Sequence, residues 1–352
     1  MKQRILIYRL GSLGDTVVAL PALHFIAGTF PEAERWVLTN FTINAKAASI
    51  AQILDGTSLV HGYIKYPVSL RNVGDLLKLR HRVRALRPDT LVYLAEPRGR
   101  VRTFRDEMFF RWCGIRRLIG LPYSSVCQRP LRINGSKYEY ESARLIRCLH
   151  TLGDAQIDAN NSSNLHLRRV EHEAARCALE PLNSEQPIVA AGIGAKVDVK
   201  DWGDAKWCSL LRHLSQTLTG WQLILLGAGV ERARTEEIAK NWTGPFLNLC
   251  GRLTVRESAA ALANARLFIG HDSGLMHLAA AVNIPCVAIF SSQNLPGHWF
   301  PYGDNHHVIY KPMPCHGCRL EVCLIHNKSC IRSIGVAEVA KATMDVLRNH
   351  TI

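Results

Sequence analysis

The stretch from residue 264 to residue 291 constrains the fold more than any other part of the chain, because it combines two apolar strands, a turn and a helix. The apolar run Ala265–Gly270 predicts a strand, and Leu275–Ala281 predicts a tightly packed helix of small and apolar residues. Pro285 ends that helix, and Cys286–Phe290 predicts a second strand. Neither strand alternates with polar residues, as strands of a parallel sheet buried on both faces require. The sequence therefore predicts a βαβ unit within an α/β protein.

The turn inside this unit, His271–Gly274, contains the polar residues that could do chemistry. Ser273 and Gly274 stand at a helix start, where backbone N–H groups lack partners within the helix. Such a start can bind an anion, typically a phosphate. An ordinary helix cap by Asp272 or Ser273 explains the same residues, and the turn alone does not separate the two interpretations.

The N-terminal segment has the same organisation. Arg4–Leu10 predicts a strand, a glycine-containing loop ends at Asp15, and Thr16–Gly28 predicts a helix interrupted near Pro21. This order of elements is how a doubly wound α/β domain begins. The loop does not match G-x-G-x-x-G, which disfavours a nicotinamide-dependent dehydrogenase. Asp15 is either a helix cap or a carboxylate available to a ligand.

Strand and helix patterns alternate through both halves of the chain, and 352 residues with 47% hydrophobic content suffice for two cores. The polar stretch Gly153–Asn164 is typical of a linker. We therefore expect domains at 1–160 and 161–334, with a C-terminal helical segment at 335–352 that packs back on the first domain. Further predicted strands are Glu34–Thr39, Thr90–Ala95, Leu118–Leu121, Pro187–Gly192, Trp221–Leu226 and Leu247–Leu249, and further predicted helices are Leu76–Leu86, Tyr138–Leu152, Lys206–Leu218, Thr254–Ala263 and Val336–Arg348.

Positive charge is concentrated in the first half of the chain. Residues 1–160 contain 24 Lys and Arg against 13 Asp and Glu, whereas residues 161–352 contain 19 against 16. The stretch Lys78–Arg117 alone has twelve basic and four acidic residues. It contains no recognisable nucleic-acid-binding motif and few aromatic residues, so no nucleic-acid partner is expected. An anionic membrane surface or a phosphorylated lipid-linked acceptor fits better, with a solvated face as the alternative.

The sequence favours a cytoplasmic protein, peripheral on the inner face of the cytoplasmic membrane. No apolar run reaches the roughly 20 residues that a spanning helix needs. The N-terminus leads into a strand, with no apolar segment typical of a signal peptide.

Four of the eleven cysteines form a C-x2-C-x4-C-x6-C cluster near the C-terminus, whereas the others are scattered singly. In a reducing compartment, this spacing predicts a structural zinc site or redox-sensitive thiols rather than disulfides. The predicted zinc ligands are Cys315, Cys318, Cys323 and Cys330.

Four segments together resemble glycosyltransferase family 9, the ADP-heptose:lipopolysaccharide heptosyltransferases and their relatives. The segments are R-x-G-x-L-G-D at 9–15, K-x-W at 200–202, G-A-x-x-E at 227–231, and DSGLMHLAAA at 272–281 followed by the P-x-V-A-I-F strand. The resemblance extends over nearly the whole chain. It implies the GT-B fold, in which two Rossmann-like domains face each other across a cleft, the first taking the acceptor and the second the nucleotide sugar.

The resemblance also implies roles for individual residues. Asp15 would be the catalytic base, Lys200 would neutralise the donor diphosphate, and Glu231 would bind the ribose hydroxyls. Arg98 and Arg100 follow a predicted strand and are candidate acceptor contacts, although a solvated loop explains them equally well. The remaining predicted donor contacts are Gly194, Asp272, Ser273, Gly274 and His277, and the remaining predicted acceptor contacts are Gly11, Ser12 and Gly14.

The sequence thus predicts an inverting glycosyltransferase that needs no cofactor for catalysis. Its expected donor is a nucleotide sugar, ADP-heptose first, and its expected acceptor is a lipid-linked saccharide of the cell envelope. One alternative is an enzyme of the same fold that uses another nucleotide sugar to build surface polysaccharide. Another is a non-catalytic module that binds glycolipids.

Overall fold

A computed structural model describes residues 2–41, 49–67, 72–155 and 162–349. Contacts divide the chain after Asn164 into two compact units. Unit 1 contains the described residues up to Asn164, and unit 2 contains Leu165 to Asn349. The boundary predicted between residues 160 and 161 lies outside the described residues.

Unit 1 is built on a five-stranded sheet in which every described strand pair is parallel. The strand order is β3-β2-β1-β4-β5. In the adjacent strands β1 and β4 nearly every side chain is buried, because helices cover both faces of such a sheet. The strands are β1 (Arg4–Tyr8), β2 (Glu34–Asn40), β3 (Gly62–Tyr66), β4 (Thr90–Tyr93) and β5 (Arg117–Ile119).

The helices of unit 1 differ from prediction at two places that concern function. The helix predicted from Thr16 is two helices joined at Ala19, and the first starts early enough to include Asp15. The basic segment after β4, for which a solvated loop was the alternative to acceptor contacts, continues as a helix from Arg100. The helices are α1 (Leu13–Val18), α2 (Leu20–Thr29), α3 (Ala51–Leu54), α4 (Val73–Leu86), α5 (Arg100–Trp112), α6 (Ser125–Gln128) and α7 (Glu141–Cys148).

Unit 2 is built on a six-stranded parallel sheet in the order β11-β10-β9-β6-β7-β8. When the strands are numbered from the start of unit 2, this order is that of the doubly wound Rossmann fold. The predicted α/β class is therefore confirmed. The βαβ unit predicted for residues 264–291 is present. The strands are β6 (Ile188–Gly192), β7 (Gln222–Leu225), β8 (Phe246–Asn248), β9 (Leu267–His271), β10 (Cys286–Phe290) and β11 (His307–Tyr310).

The helices of unit 2 lie between its strands and close its core. The last of them, α14, packs against α9, β10 and β11 of its own unit. Its expected packing on the first domain stays a prediction. The helices are α8 (Arg169–Leu179), α9 (Asp204–Thr217), α10 (Arg232–Ala239), α11 (Val255–Leu262), α12 (Gly274–Ala281), α13 (Ser329–Arg332) and α14 (Val336–Asn349).

Each sheet has one point at which the strand order reverses: between β1 and β4 in unit 1, and between β6 and β9 in unit 2. In open α/β sheets, ligands bind beyond the carboxyl ends of the strands at such points. The loops that follow these four strands are therefore where functional residues are expected.

None of the helices in the described ranges has both the length and the apolar character needed to cross a lipid bilayer.

Candidate functional site

The reversal point of unit 2 holds an ion pair between two predicted donor residues. Lys200 lies in a short 3₁₀ turn beyond β6, and Asp272 directly follows β9. The Lys200 Nζ lies 2.8 Å from Asp272 Oδ2, and the Asn294 side-chain amide donates to the same oxygen at 3.1 Å. Lys200 is 18% exposed and Asp272 is 5% exposed. The lysine is thus held in place by a buried carboxylate while its side chain remains partly accessible.

Asp272 is predicted as a donor contact, and this pairing gives it a positioning role as well. A carboxylate beside a diphosphate would repel it, since both are negatively charged. The same carboxylate fixes the ammonium group of Lys200, which attracts phosphate. We therefore interpret Asp272 as the residue that positions Lys200.

The first turn of α12 lies next to this ion pair. Ser273 is the N-cap residue and has extended backbone angles, but its hydroxyl makes no capping hydrogen bond among the described residues. The helix therefore does not use this side chain to satisfy its first N–H groups, as a capped helix would. Helix N-termini attract anions through these groups and through the helix dipole. The turn at Ser273 and Gly274 thus adds positive potential beside Lys200.

Glu231 lies at the neighbouring strand end, after β7. Its Oε2 accepts a hydrogen bond from the Ala228 N–H at 2.9 Å. A Cβ at Gly194 would lie 2.0 Å from Glu231 Oε1, and one at Gly227 would lie 2.6 Å from Oε2. A side chain at either position would clash with the Glu231 carboxylate, so both positions require glycine. The missing side chain at Gly194 thus leaves room for the Glu231 carboxylate, the predicted ribose ligand.

His271, the last residue of β9, was predicted only as part of the turn, but the structure makes it a fully buried connection between elements. Its Nε2 accepts hydrogen bonds from the Trp202 backbone N–H and the Trp207 indole N–H, both at 3.2 Å. Its Nδ1 lies 3.5 Å from the Gly194 carbonyl oxygen. Burial lowers the pKa of His271 to about 4, so the imidazole is neutral at pH 7. Its position directly before Asp272 was the only sequence signal for this role.

His277, the remaining predicted donor residue, lies in the first part of α12 and is buried. Its ring packs edge-on against Trp299, with the ring centroids 6.1 Å apart. A direct contact of His277 with the sugar stays a prediction.

In unit 1, the predicted base Asp15 lies in the first turn of α1. Its Oδ2 accepts hydrogen bonds from the Ser12 backbone N–H at 2.8 Å and from the Ser12 hydroxyl at 3.2 Å. A Cβ at Gly11, where φ is +142°, would lie 2.4 Å from the Asp15 Cβ. The carboxylate therefore caps the helix with one oxygen, and its Oδ1 is the oxygen that can act as a base.

Arg9 is a residue that the sequence analysis did not single out beyond its place in the motif. It is buried at the reversal point, where its guanidinium donates to the Leu94 carbonyl at 2.7 Å and to the Asp15 carbonyl at 2.6 Å. Arg9 thus connects the loop after β1 to the loop after β4 and fixes the backbone of Asp15. The only sequence signal for this role was an arginine directly after an apolar strand.

The two predicted acceptor arginines have different surroundings. The Arg98 guanidinium donates to the Tyr8 hydroxyl at 3.2 Å and to Asp106 at 2.8 Å. The Tyr93 hydroxyl also donates to Asp106, at 2.9 Å, and burial raises the pKa of both tyrosines. Arg98 is therefore held at the reversal point of unit 1. Arg100 instead starts α5 and donates to the Tyr123 carbonyl at the surface, so the structure does not place it with Arg98.

The four clustered cysteines do not form the predicted zinc site. All four are free thiols. Within the described ranges, which include all four, no group of three or more His, Cys, Asp or Glu side chains is arranged to hold a metal ion. Cys315 and Cys323 are close enough for their charges to help raise the pKa of Cys330, for which burial is the main cause. The thiols are neighbours, but they do not converge on one point as tetrahedral zinc requires.

Comparisons with known proteins identify the relatives of this chain. The profile of glycosyltransferase family 9 (heptosyltransferase) matches residues 110–328, more than half of the chain. Lipopolysaccharide heptosyltransferase 1 of Pseudomonas aeruginosa is 23% identical over 333 residues, which cover 91% of this chain and 87% of that protein.

Two solved structures share the fold over essentially their whole length. The glycosyl transferase family 9 protein from Veillonella parvula has a TM-score of 0.76 at 16% identity and covers 99% of this chain and 98% of its own. The E. coli ADP-heptose lps heptosyltransferase II has a TM-score of 0.69 at 19% identity, with full coverage of both chains. The predicted GT-B class, with two Rossmann-like units, is confirmed.

Proposed function

This chain belongs to glycosyltransferase family 9, and on that basis we propose that it transfers a heptose from a nucleotide-activated donor to lipopolysaccharide or a related cell-envelope glycolipid. ADP-heptose is the first candidate donor. The E. coli relative of the same fold is described as an ADP-heptose enzyme, and the Pseudomonas relative as a lipopolysaccharide heptosyltransferase.

The observation that carries this proposal is the ion pair of Lys200 and Asp272 beside the first turn of α12. A nucleotide sugar presents a diphosphate, and this place combines a held ammonium group with a helix N-terminus. The Glu231 carboxylate, at the next strand end, accepts hydrogen bonds from the two ribose hydroxyls. One group of elements in unit 2 therefore suits both ends of a nucleoside diphosphate.

Unit 1 provides the base in this proposal. Asp15 Oδ1 removes the proton from the acceptor hydroxyl, and the resulting oxygen attacks the anomeric carbon of the donor. Arg9 and Ser12 hold the carboxylate in position through the backbone of its loop and through Oδ2. Gly11 in the loop after β1 and Gly14 in the first turn of α1 let the acceptor approach the backbone, and Arg98 binds an anionic group on it.

The sugar–phosphate bond breaks as the new glycosidic bond forms on the opposite face, which inverts the anomeric configuration. Negative charge then builds on the leaving diphosphate. Lys200 and the N–H groups of Ser273 and Gly274 stabilise that charge, the effect that most lowers such barriers. These protein groups supply the electrostatic stabilisation, so we propose that catalysis needs no cofactor.

A lipid-linked acceptor also places the enzyme at the membrane surface. We propose that the protein is cytoplasmic and binds the inner face of the cytoplasmic membrane peripherally. The excess of basic residues in the first half of the chain supports this proposal, because that leaflet carries anionic lipids.

The test is a donor screen followed by a transfer assay. Thermal shifts with ADP-, GDP-, UDP- and dTDP-sugars identify the nucleotide, and labelled donor with heptose-deficient lipopolysaccharide measures transfer. Asp15→Asn is the matched variant, because the amide oxygen still accepts from the Ser12 N–H while the base is lost. We expect donor binding to remain and transfer to fall about 10²–10⁴-fold. Near-normal turnover of this variant would refute the base, and no transfer from any donor by the wild type would refute the function.

A further inference from the structure

The outer face of α5 carries a continuous stripe of exposed apolar side chains. Val101 is 84% exposed, Phe104 57%, Met108 50% and Trp112 46%. They are spaced three or four residues apart along the helix and therefore lie on one side of it. The side of α5 that packs on the sheet is the opposite one and carries the buried residues Thr103, Asp106 and Phe110.

Helix α4 extends this stripe. Its inner side chains Leu79 and Val83 pack in the same cluster as Phe110 of α5, so both helices cover the same face of the sheet. At its outer side, Val73 is 71% exposed and Leu77 is 47% exposed. The Arg80 guanidinium lies 4.3 Å above the Trp112 ring, and its Nε donates to the Trp112 carbonyl, which joins the two helices. We call the six apolar side chains together the α4–α5 outer surface; they are Val73, Leu77, Val101, Phe104, Met108 and Trp112.

The two helices that carry this apolar surface are also rich in basic residues. The two helices contain eight arginines and lysines against three acidic residues. Two of the three acids are neutralised, since Asp106 pairs with Arg98 and Arg105, and Glu107 pairs with Arg111. The basic residues are Lys78, Arg80, Arg82, Arg84, Arg100, Arg102, Arg105 and Arg111.

Building on the peripheral membrane binding proposed above, we infer that the α4–α5 outer surface inserts into the interfacial region of an anionic lipid bilayer. Apolar side chains on one side of a helix, rimmed by arginine and lysine, are the pattern of helices that lie in a membrane interface. The apolar residues gain by leaving water, and the basic rim gains by contact with anionic headgroups. Binding is thus expected to have a hydrophobic part that salt does not screen, which a purely electrostatic contact lacks.

A second copy of the chain is the competing occupant, and charge disfavours it. A symmetric dimer places the same surface of both copies face to face. The basic rims would then oppose each other, and like charges at close range raise the free energy of association. Anionic lipid supplies the complementary charge that a second copy lacks.

The experiment compares vesicle binding of the full-length wild type with that of the triple variant Val101→Ser, Phe104→Ser, Met108→Ser. These side chains are exposed, so the variant should fold, and circular dichroism and thermal melting check this. The matched control is Leu324→Ser, Ile325→Ser in unit 2, which removes apolar side chains that are 83% and 75% exposed. Vesicles contain phosphatidylglycerol and phosphatidylethanolamine without lipopolysaccharide or nucleotide sugar, so the result does not depend on the proposed transferase activity.

We expect the triple variant to bind vesicles about 10–100-fold more weakly than wild type, and the control variant to bind as wild type does. At about 1 M salt, where the Debye length is ~3 Å, wild type should retain measurable binding and the triple variant none. Lipids brominated in the acyl chain should quench wild-type fluorescence more than that of Trp112→Phe. Equal binding of wild type and triple variant would overturn the inference. So would a wild-type dimer in sedimentation that the triple variant abolishes while vesicle binding is unchanged.

Discussion

At the scale of single residues, the ion pair of Lys200 and Asp272 determines how the proposed donor site is held. Asp272 is almost fully buried, so its charge is stabilised chiefly by Lys200 and by the amide of Asn294. Removing the lysine leaves a buried, uncompensated carboxylate, which typically costs about 3–5 kcal/mol of folding free energy. Loss of donor binding in a lysine variant must therefore be separated from loss of stability.

A three-variant comparison makes this separation. Lys200→Met removes the ammonium group, Asp272→Asn keeps it without its ionic anchor, and the double variant removes both charges and relieves the buried carboxylate. We expect Lys200→Met and the double variant to bind nucleotide sugar about 10–100-fold more weakly, and Asp272→Asn to show a smaller loss. Calorimetry with the intact donor and melting of each variant are the measurements. Wild-type donor affinity in a folded Lys200→Met protein would contradict the role of the lysine.

At the scale of elements, the end of β9 is held by His271, which accepts from the loop before α9 and from α9 itself. Both donors point at Nε2, so a proton on this nitrogen would face two N–H groups. Burial is the main cause of the lowered pKa of about 4, and the two donors likewise oppose protonation of this nitrogen. The loop of Lys200 and the turn at Asp272 depend on this connection, because Trp202 lies two residues after Lys200 and His271 directly precedes Asp272.

This connection predicts a pH dependence of stability. An exposed histidine titrates near 6.5, so between pH 6.5 and about 4 the unfolded chain binds a proton that folded His271 does not. Stability from this group is complete above pH 6.5 and is lost as pH falls to about 4, by up to ~3 kcal/mol. Urea unfolding across this range tests it, with His271→Asn as the comparison. The variant should be less stable at pH 7 but lose less on acidification, and equal slopes would refute the assignment.

At the scale of the whole molecule, charge is distributed unequally between the two halves of the chain. Residues 1–160 carry a net charge of +11 and residues 161–352 of +3, and the densest basic stretch spans α4 and α5. Each basic residue near an anionic surface contributes roughly 1 kcal/mol of attraction, screened over a Debye length of about 8–10 Å. Several of them suffice for reversible binding.

Charge reversal tests this electrostatic part separately from apolar insertion. We choose Arg82→Glu with Arg84→Glu and leave Arg80 unchanged, because Arg80 packs on Trp112. The double variant should lose most sedimentation with anionic vesicles at low salt, while its turnover on a short soluble acceptor stays near that of wild type. Arg169→Glu with Lys240→Glu, two exposed positions of unit 2, is the control. Undiminished vesicle binding of Arg82→Glu, Arg84→Glu would mean that these arginines form only a solvated face.

The sequence by itself determined the local elements and the residue types of the candidate site. The apolar runs at Ala265–Gly270 and Cys286–Phe290 predicted the strands Leu267–His271 and Cys286–Phe290. Both faces of these strands are buried, so their composition is almost entirely apolar. The polar residues after those strands were located because ligands bind at strand ends in α/β proteins. The half-exposed edge strand β11 was missed, since a short strand with one buried residue gives no such pattern.

Only the tertiary structure decided how these residues are paired. The order of strands brings Arg9 to the carbonyl of Leu94, 85 residues away, and Trp202 to His271, 69 residues away. It also pairs the predicted ligands Lys200 and Asp272 with each other. Among the described residues, the clustered cysteines are not arranged to hold a metal ion, and the apolar side of α5 is exposed. The reason is physical: local patterns report which side chains avoid water, whereas contacts between distant residues depend on how the strands are ordered and on which helix face the sheet covers.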